Sequence, residues 1–343
     1  MKILVIKPSS LGDVIHSLRV MNVAKNYNER ISIDWVIKRE IAGILDATGI
    51  VENSFYFDRG QGLLSYVKLI LEIRKKKYDF CMDMQGLLRS GIITALSKSR
   101  FKIGRKDGRE FSTLFYEKVK EGFIKKPNHA IEKLLPFLNR IGINNFPQDL
   151  PLSFPHSTLG ESVKIELNRF RKYIVLFPES RRKEKEWPYF EKLALKLKQF
   201  PHFGIVIAGT RKNGQFPETV DLRGRLSVNE LPQLIKKSAL IISNDSAPLH
   251  IASSLQVPSI SLFGPTDSRN YGPYPPGKNQ SVVFNGKNEQ IGSIELHPVM
   301  DSIKAVIIST NYLYKSFKIC TPLLLPALRN SLICLNIREK IFK

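Results

Sequence analysis

The chain has few of the residues that build disulfide frameworks or metal sites. Its 343 residues include only three cysteines, Cys81, Cys320 and Cys334, and their spacing matches no metal-ligand pattern. Each lies in an apolar stretch, so we expect reduced, buried thiols in a cytoplasmic protein. No run approaches the roughly 20 apolar residues of a membrane-spanning helix. The opening Met1-Lys2-Ile3-Leu4 turns polar too early for a signal peptide.

Acidic residues are scarce beside basic ones. Fifty-three Lys and Arg stand against 31 Asp and Glu, a formal net charge of +22. Part of this excess is concentrated between Arg89 and Lys126. The balance favours an anionic partner, although a generally basic surface would explain it as well. The sequence also lacks a zinc pattern, an RNP-type aromatic motif and a lysine-rich tail, so we expect no nucleic-acid partner.

The order of predicted elements indicates an α/β protein long enough for two domains. Strands are expected near 2–7, 31–37, 54–57, 79–83 and 101–104, and helices near 13–27, 39–47, 62–76, 87–96 and 128–141. Three closely spaced prolines then mark a linker near 145–158.

After the linker the alternation begins again. Helices are expected near 159–170, 187–199, 227–237 and after Asp245, and strands near 173–177, 204–208, 239–243 and 259–263. We therefore predict two Rossmann-like domains, 1–150 and 151–311, whose parallel, doubly wound sheets face a central cleft, and a tail at 312–343. Ligands of such sheets bind outside the carboxyl ends of the strands.

Two segments at such strand ends can bind anions. In the second domain, an apolar strand leads into Asp245, which can cap a new helix, and Ser246 and Ala247 offer backbone N–H groups there. His250 lies within the next turn and can reach the same anion. The alternative is a capped core helix with His250 satisfied internally.

The second such segment opens the chain. The strand near 2–7 is followed by Pro8-Ser9-Ser10-Leu11-Gly12-Asp13 and a helical pattern. Ser9, Ser10 or Asp13 can cap this helix, and Gly12 permits close backbone approach. With a single glycine the turn is not a dinucleotide-binding fingerprint. Taken alone, it indicates no more than a first βα unit.

These motifs together resemble those of glycosyltransferase family 9, the ADP-heptose:lipopolysaccharide heptosyltransferases, over about residues 1–310. The segments that carry the resemblance are 7–16, 78–90, 185–188, 244–250 and 263–267. Asp34-Trp35-Val36, Gln85-Gly86-Leu87-Leu88 and the stretch 109–116 look more like heptosyltransferase I than II. The resemblance implies a GT-B fold and an inverting transfer of heptose from ADP-L-glycero-D-manno-heptose to the Kdo of the lipid A inner core.

The resemblance also assigns roles to residues. Asp13 is implied as the catalytic base, and Lys185 as the cation that neutralises the departing ADP without a metal or cofactor. The implied donor contacts are Ser9, Ser10, Gly12, Ser180, Arg181, Leu226, Asp245, Ser246, Ala247 and His250. Arg181 and Ala247 depart from the residue types that are usual there. Arg59, Arg105 and Arg109 are expected to bind the acceptor, because guanidinium suits carboxylate and phosphate.

The same resemblance implies a cytoplasmic protein, peripheral on the anionic inner membrane of a Gram-negative bacterium. A short amphipathic helix within the tail could contribute to that contact, or the tail could pack on the first domain. We expect Asp79 and Asp83, and likewise His16 and His129, to be structural. Two alternatives stay open: a family 9 transferase with another acceptor, such as a heptosyltransferase II-like enzyme, and a non-catalytic, basic membrane-surface-binding protein.

Overall fold

The computed structural model describes residues 1–58, 60, 62–120, 124, 127–277 and 281–309. Arg59, two of the three cysteines and the tail expected at 312–343 lie outside these residues. Cys81 is a buried free thiol. Among the residues described, no helix is both long and apolar enough to cross a bilayer.

The first domain is built on a parallel sheet with the strand order β3-β2-β1-β4-β5-β6. Its strands are β1 (Lys2–Ile6), β2 (Ser32–Ile37), β3 (Asn53–Tyr56), β4 (Tyr78–Asp83), β5 (Ser99–Gly104) and β6 (Glu117–Lys118). Apolar runs fill the central strands because helices cover both faces of a parallel sheet. The reversal of strand order beside β1 places the ends of β1 and β4 at the position where such sheets bind ligands.

The helices of this domain follow the expected order but not every expected length. They are α1 (Leu11–Tyr27), α2 (Gly43–Thr48), α3 (Gly62–Arg74), α4 (Leu88–Leu96) and α5 (Pro136–Arg140). The single helix predicted near 128–141 is wrong: a 3₁₀ turn at Glu132–Leu134 precedes the short α5. Pro136 has no N–H to donate, so it is accommodated only in the first turn of a new helix.

The second domain repeats this design, with the strand order β12-β11-β10-β7-β8-β9 and parallel pairing throughout. Its strands are β7 (Lys172–Phe177), β8 (Phe203–Ile207), β9 (Val220–Asp221), β10 (Leu240–Asn244), β11 (Ser259–Phe263) and β12 (Ser281–Asn285). Its helices are α6 (Glu161–Leu167), α7 (Phe190–Leu197), α8 (Leu231–Lys237), α9 (Ala247–Ser254), α10 (Ser268–Tyr271) and α11 (Leu296–Ser309). The prediction of two parallel, doubly wound sheets is confirmed.

One buried arginine joins the two domains. Arg19 of α1 donates from Nε to the carbonyl of Leu150 (2.8 Å) and from Nη2 to the carbonyl of Tyr274 (2.8 Å). Its Nη1 donates to Ser253 Oγ of α9 (3.3 Å). Burial lowers the pKa of Arg19 to about 10. The first helix, the stretch at Leu150 that leads into the second domain, and the second domain itself therefore share a single guanidinium.

Candidate active site

The first candidate segment forms a capped helix start with a carboxylate inside it. α1 begins at Leu11, with Ser10 as the N-cap residue, so Asp13 is its third residue rather than its cap. The Ser10 backbone N–H (3.2 Å) and hydroxyl (2.9 Å) both donate to Asp13 Oδ2. Each partner thus fixes the other at the helix start. Ser9 lies half-buried in the turn that precedes them.

Lys7, which follows β1, is the charged partner of Asp13. Its Nζ lies 3.5 Å from Asp13 Oδ2. The lysine side chain is 4% exposed, whereas that of the aspartate is 37% exposed. Burial alone would raise the pKa of Asp13, but the Lys7 charge and the Ser10 hydrogen bonds outweigh it and lower that pKa below its usual value. The site therefore holds an ionised carboxylate that solvent or substrate can reach.

The second candidate segment differs from the expected cap. Ser246, not Asp245, is the N-cap residue of α9, with Ala247 as the first helical residue. Asp245 Oδ2 instead accepts a 2.5 Å hydrogen bond from Lys185 Nζ. The prediction that Asp245 caps α9 is therefore wrong, because a lysine distant in sequence occupies its carboxylate. The backbone N–H groups at the start of α9 remain available to an anion.

Trp187 holds Lys185 in this position. The indole is buried in the second core, and its Nε1 donates to the carbonyl of Ile294 (2.8 Å). The Trp187 backbone N–H donates to Asn244 Oδ1 (3.1 Å), and Asn244 Nδ2 donates to the carbonyl of Pro178 (2.9 Å). The 183–187 segment is thereby tied to the ends of β7 and β10. A lysine within a charge run consequently points at Asp245 instead of being only a solvated residue.

The remaining donor candidates lie around the same strand ends. Ser180 is buried after β7, and its N–H donates to Glu186 Oε1 (3.0 Å). Arg181 is exposed beside it. Leu226 is half-buried against the core, in the segment between β9 and α8. Ser180 and Leu226 are therefore partly or wholly covered by protein, whereas Arg181 is exposed to solvent.

The two candidate segments meet at His250. A Cβ placed on Gly12 would lie 2.6 Å from His250 Cδ2, so only glycine fits that position of α1. The His250 ring packs on His16, with centroids 4.4 Å apart, and His16 packs in turn on His129 at 5.4 Å. Burial lowers the pKa of His250, although Asp245 and Asp13 oppose the effect. The imidazole is therefore packed between α1 and α9, near both carboxylates.

The basic loop after β5 borders the Asp13 side of the cleft. Arg105 donates to both carboxylate oxygens of Asp107, at 2.8 and 2.7 Å. Burial would lower the pKa of Arg105, but Asp107, with a contribution from Asp13, raises it. Arg109 is exposed, and its N–H donates to the carbonyl of Gly86 (2.8 Å). Arg105 thus lies near Asp13, but its guanidinium is already paired with Asp107. Arg109 lies at the surface.

Asp83, which ends β4, supports this loop from below. Its Oδ1 accepts the N–H groups of Gln85 (3.0 Å) and Gly86 (2.8 Å), and its carbonyl accepts the N–H of Arg105 (3.2 Å). Burial raises the pKa of Asp83 to about 6. These contacts agree with the structural role expected for it. Within the described part of the chain, no cluster of three or more His, Cys, Asp or Glu side chains could hold a metal ion.

Sequence reasoning assigned no role to Lys7, Asn244 or Glu186, although all three organise the site. For two of them the available signal was position, since Lys7 ends a predicted strand and Asn244 directly follows one, both at the ligand-binding edge. Glu186 lies in a charge run that carries no such signal. In sum, the cleft holds a reachable carboxylate, a carboxylate-held lysine and a helix N-terminus. This combination can accept a proton on one side and stabilise an anion on the other.

Comparisons with known proteins agree with this arrangement. The model of the family described as "Glycosyltransferase family 9 (heptosyltransferase)" matches residues 66–296. Lipopolysaccharide heptosyltransferase 1 of Campylobacter coli is 29% identical over 300 residues, which cover 78% of this chain and 85% of that protein. Lipopolysaccharide heptosyltransferase 3 of Escherichia coli is 24% identical over 297 residues, which cover 80% and 85% respectively.

Solved structures show the same fold. The E. coli heptosyltransferase WaaC with ADP aligns with a TM-score of 0.72 at 22% identity, over 89% of this chain and 100% of that one. The same enzyme with ADP-2-deoxy-2-fluoro heptose aligns with a TM-score of 0.70 at 23% identity, over 89% and 99%. The expected GT-B architecture, two Rossmann-like domains with parallel sheets, is confirmed.

Proposed function

Because the chain belongs to glycosyltransferase family 9, we propose that it transfers heptose from ADP-L-glycero-D-manno-heptose to the Kdo of the lipid A inner core. The observation that carries the proposal is the pair of opposed charges at one cleft: a half-exposed Asp13 on the first domain and Lys185, held by Asp245, on the second. The similarity to lipopolysaccharide heptosyltransferase 1 supports this donor and acceptor.

In the proposed reaction, an acceptor hydroxyl oxygen attacks the anomeric carbon of the heptose. Asp13 takes the hydroxyl proton as the new bond forms, and the bond to the phosphate oxygen breaks with inversion. ADP leaves with the electron pair, and its growing charge is stabilised by Lys185 and by the N–H groups of Ser246 and Ala247 at α9. An ordinary aspartate suffices as the base because the hydroxyl acidifies while it reacts. No metal ion is needed in this scheme.

The donor nucleotide is proposed to lie on the second domain, along Ser180, Arg181, Leu226, Asp245 and His250, with Ser9, Ser10 and Gly12 closing over it from the first. The acceptor is proposed to approach from the Arg105 and Arg109 side. It belongs to a lipid, so the enzyme would work peripherally at the cytoplasmic face of the inner membrane. Arg59 is proposed to join Arg105 and Arg109 in binding the anionic acceptor.

A second acceptor assignment has its own support. Heptosyltransferase 3 of E. coli is nearly as similar as several heptosyltransferases 1, so another core sugar could receive the heptose. The two candidates share the donor and the chemistry described above. They differ only in the acceptor that Arg105 and Arg109 would meet.

The test is ADP release from ADP-heptose by the purified full-length chain in EDTA. Kdo-bearing lipid A is compared with the same lipid without Kdo and with a heptosylated core. We expect release only with the Kdo acceptor. Release only with the heptosylated core would transfer the assignment to the second candidate. ADP-heptose binding without turnover on any acceptor would favour a non-catalytic protein.

A further inference from the structure

The first domain exposes an unusual number of large apolar side chains. Among the described residues, those on α3, at the start of α4 and in the turn before β6 are Leu63, Leu64, Val67, Leu71, Leu88, Phe111 and Leu114. Leu64 is 78% and Phe111 79% exposed. The second domain shows only scattered ones among its described residues, such as Ile165 and Leu195. Isolated exposed leucines are ordinary, whereas a continuous group marks an interaction surface.

Helix α3 is apolar over more than half of its circumference, and only part of that surface packs into the core. Successive residues are about 100° apart around a helix, so Leu63, Leu64, Val67 and Leu71 fall within one arc of about 100°. Leu69, Ile70 and Ile73 lie on a different arc and pack into the core. The outer arc is therefore not needed for folding of the domain, and it remains exposed.

Contacts link this outer arc to the other exposed residues. Tyr66 of α3 donates through its hydroxyl to the carbonyl of Arg89 (2.5 Å), at the start of α4. The backbone N–H of Leu88 donates to Glu110 Oε2 (3.2 Å), and Glu110 directly precedes Phe111. We name the surface formed by Leu63, Leu64, Val67, Leu71, Leu88, Phe111 and Leu114 the apolar ridge. It lies beside the loop that carries Arg105 and Arg109.

Basic residues border the apolar ridge. Lys68, Arg89 and Arg109 are exposed along it. The neighbouring acidic side chains are engaged: Glu72 with Lys75 (2.5 Å) and Glu110 with the N–H of Leu88. Apolar side chains bordered by lysine and arginine match a bilayer surface with anionic headgroups, where apolar groups enter the acyl boundary and cations meet phosphate.

Phe111 adds an argument of its own. Its backbone has φ 60 and ψ 12, in the left-handed region that disfavours bulky side chains. The neighbouring Glu110 has φ 54 as well. A phenylalanine kept exposed on a strained turn gains nothing from the fold of the free protein. Burial of the Phe111 ring in a lipid interface would provide favourable apolar contacts that offset the backbone strain.

We propose that the apolar ridge is the surface by which this protein binds an anionic lipid bilayer. The proposal deepens the proposed function, since a membrane-embedded acceptor would then be presented directly to the Arg105 and Arg109 side of the cleft. It does not depend on which sugar receives the heptose. The tail beyond residue 309 is retained in every experiment that follows, so its contribution is the same for all variants.

The test is co-sedimentation of the full-length chain with vesicles of phosphatidylcholine and phosphatidylglycerol, and with vesicles of phosphatidylcholine alone. Leu63→Gln/Leu64→Gln is expected to weaken binding to the mixed vesicles by about tenfold or more. Phe111→Asn, which suits the left-handed backbone better, should weaken binding while the thermal unfolding midpoint is kept or raised. Lys68→Gln/Arg89→Gln should reduce binding and its salt dependence.

The matched control is Ile165→Gln/Leu195→Gln on the second domain, where the first side chain is 63% exposed. Its vesicle binding should equal that of the unaltered chain. Unchanged binding of the Leu63/Leu64 variant, equal binding to phosphatidylcholine alone, or equal loss in the control would overturn the proposal. So would a dimer in solution that only the ridge variants dissociate, since the ridge would then join two copies.

The two proposals can fail separately. ADP release with a soluble, deacylated Kdo acceptor should be the same for the Leu63/Leu64 variant and the unaltered chain. If vesicle binding falls as expected but ADP is never released, the ridge stands and the proposed function fails. If ADP is released but the Leu63/Leu64 variant binds vesicles as the unaltered chain does, the proposed function stands and the apolar ridge proposal fails.

Discussion

Each domain places a lysine–aspartate pair at the ligand-binding edge of its sheet. The two pairs differ in which partner is the more exposed. In the first domain the lysine is buried and the carboxylate reachable: Lys7 is 4% and Asp13 37% exposed. In the second the carboxylate is the more buried partner: Asp245 is 9% and Lys185 16% exposed. The contact is looser in the first pair, 3.5 Å against 2.5 Å.

The difference follows from the elements that carry each pair. Lys7 continues the central strand β1, so its ammonium emerges beneath the helix start where Asp13 sits. Asp245 continues the central strand β10, and Lys185 comes from a 3₁₀ turn above it that Trp187 anchors. In both pairs the residue that directly follows the strand is the more buried one. The same ion pair can therefore present a base on one side of a cleft and a cation on the other.

Removing the reachable carboxylate should have the largest effect. Asp13→Asn is expected to lower turnover by at least about 10²-fold, because a positioned base is lost. ADP affinity should stay unchanged. The control Asp46→Asn alters an exposed acid in the first turn of α2 and should leave turnover unaltered. Steady-state kinetics check both variants, and turnover of Asp13→Asn within threefold of the unaltered chain would remove Asp13 from the mechanism.

Removing the presented cation should have the next largest effect. Lys185→Ala is expected to lower kcat/KM for the donor by about 30-fold, the range for a lost charge-assisted hydrogen bond. Both kcat and donor affinity should fall, because the charge would serve bound diphosphate and departing ADP. Lys183→Ala, in the same 3₁₀ turn but exposed, is the control. Equal kinetics for these two variants would return Lys185 to an ordinary surface lysine.

Replacing Lys7, the buried partner of Asp13, should change how turnover depends on pH. Lys7→Met removes a cation that lowers the pKa of Asp13, so that pKa should rise. The base must be ionised, so the acid limb of the pH–rate profile should move to higher pH. At pH 8 turnover should be nearly normal. An unmoved acid limb in a folded variant would show that Lys7 does not tune the carboxylate.

His129, whose ring packs on His16 between α1 and the second domain, should affect stability but not turnover. Burial lowers the pKa of His129 to about 4, with its Nε2 facing the carbonyl of Gly272 at 3.0 Å. The unfolded state therefore binds more protons between about pH 6.5 and 4, and the stability contribution is full above 6.5 and lost as pH falls. The elevated pKa of Asp83, about 6, acts in the opposite sense over part of that range.

His129→Gln should thus flatten the fall in unfolding free energy between pH 7 and 5 by about 1–2 kcal/mol. Urea unfolding at several pH values measures this difference directly. The exposed His202→Gln is the control and should keep the slope of the unaltered chain. Identical slopes for both variants would mean that His129 titrates normally in the fold.

The features of the fold that are set by neighbouring residues could be predicted from the sequence. The apolar strands and the first helix, expected near 13–27, follow from periodicity and turn chemistry, which neighbouring residues set. The sequence does not reveal that Asp245 binds Lys185 instead of capping α9, since those residues come together only through the second sheet. Lys7 was missed for the same reason. A lysine at a strand end gives no sign of burial until the helix that covers it is in place.

The shortest strands were not predicted from the sequence, for a different physical reason. β6 and β9 have two residues each, too few for any period to show, and they exist because a neighbouring strand offers unpaired groups. The helix expected near 128–141 failed because Pro136 breaks a pattern that is otherwise apolar at helical spacing. The roles of the site residues and the boundaries of the domains stay predictions.

Arg19 also bears on how the chain is made. Its hydrogen-bond acceptors include the carbonyls of Leu150 and Tyr274 and the hydroxyl of Ser253, which are synthesised long after α1. Until those residues leave the ribosome, the first helix carries the guanidinium of Arg19 and the imidazole of His16 without these partners, and both must stay hydrated. The first domain alone is therefore an incomplete folding unit, and its last packing step waits for nearly the whole second domain. Completion of the first sheet is therefore not enough to satisfy this guanidinium, which needs backbone carbonyls from both halves of the chain.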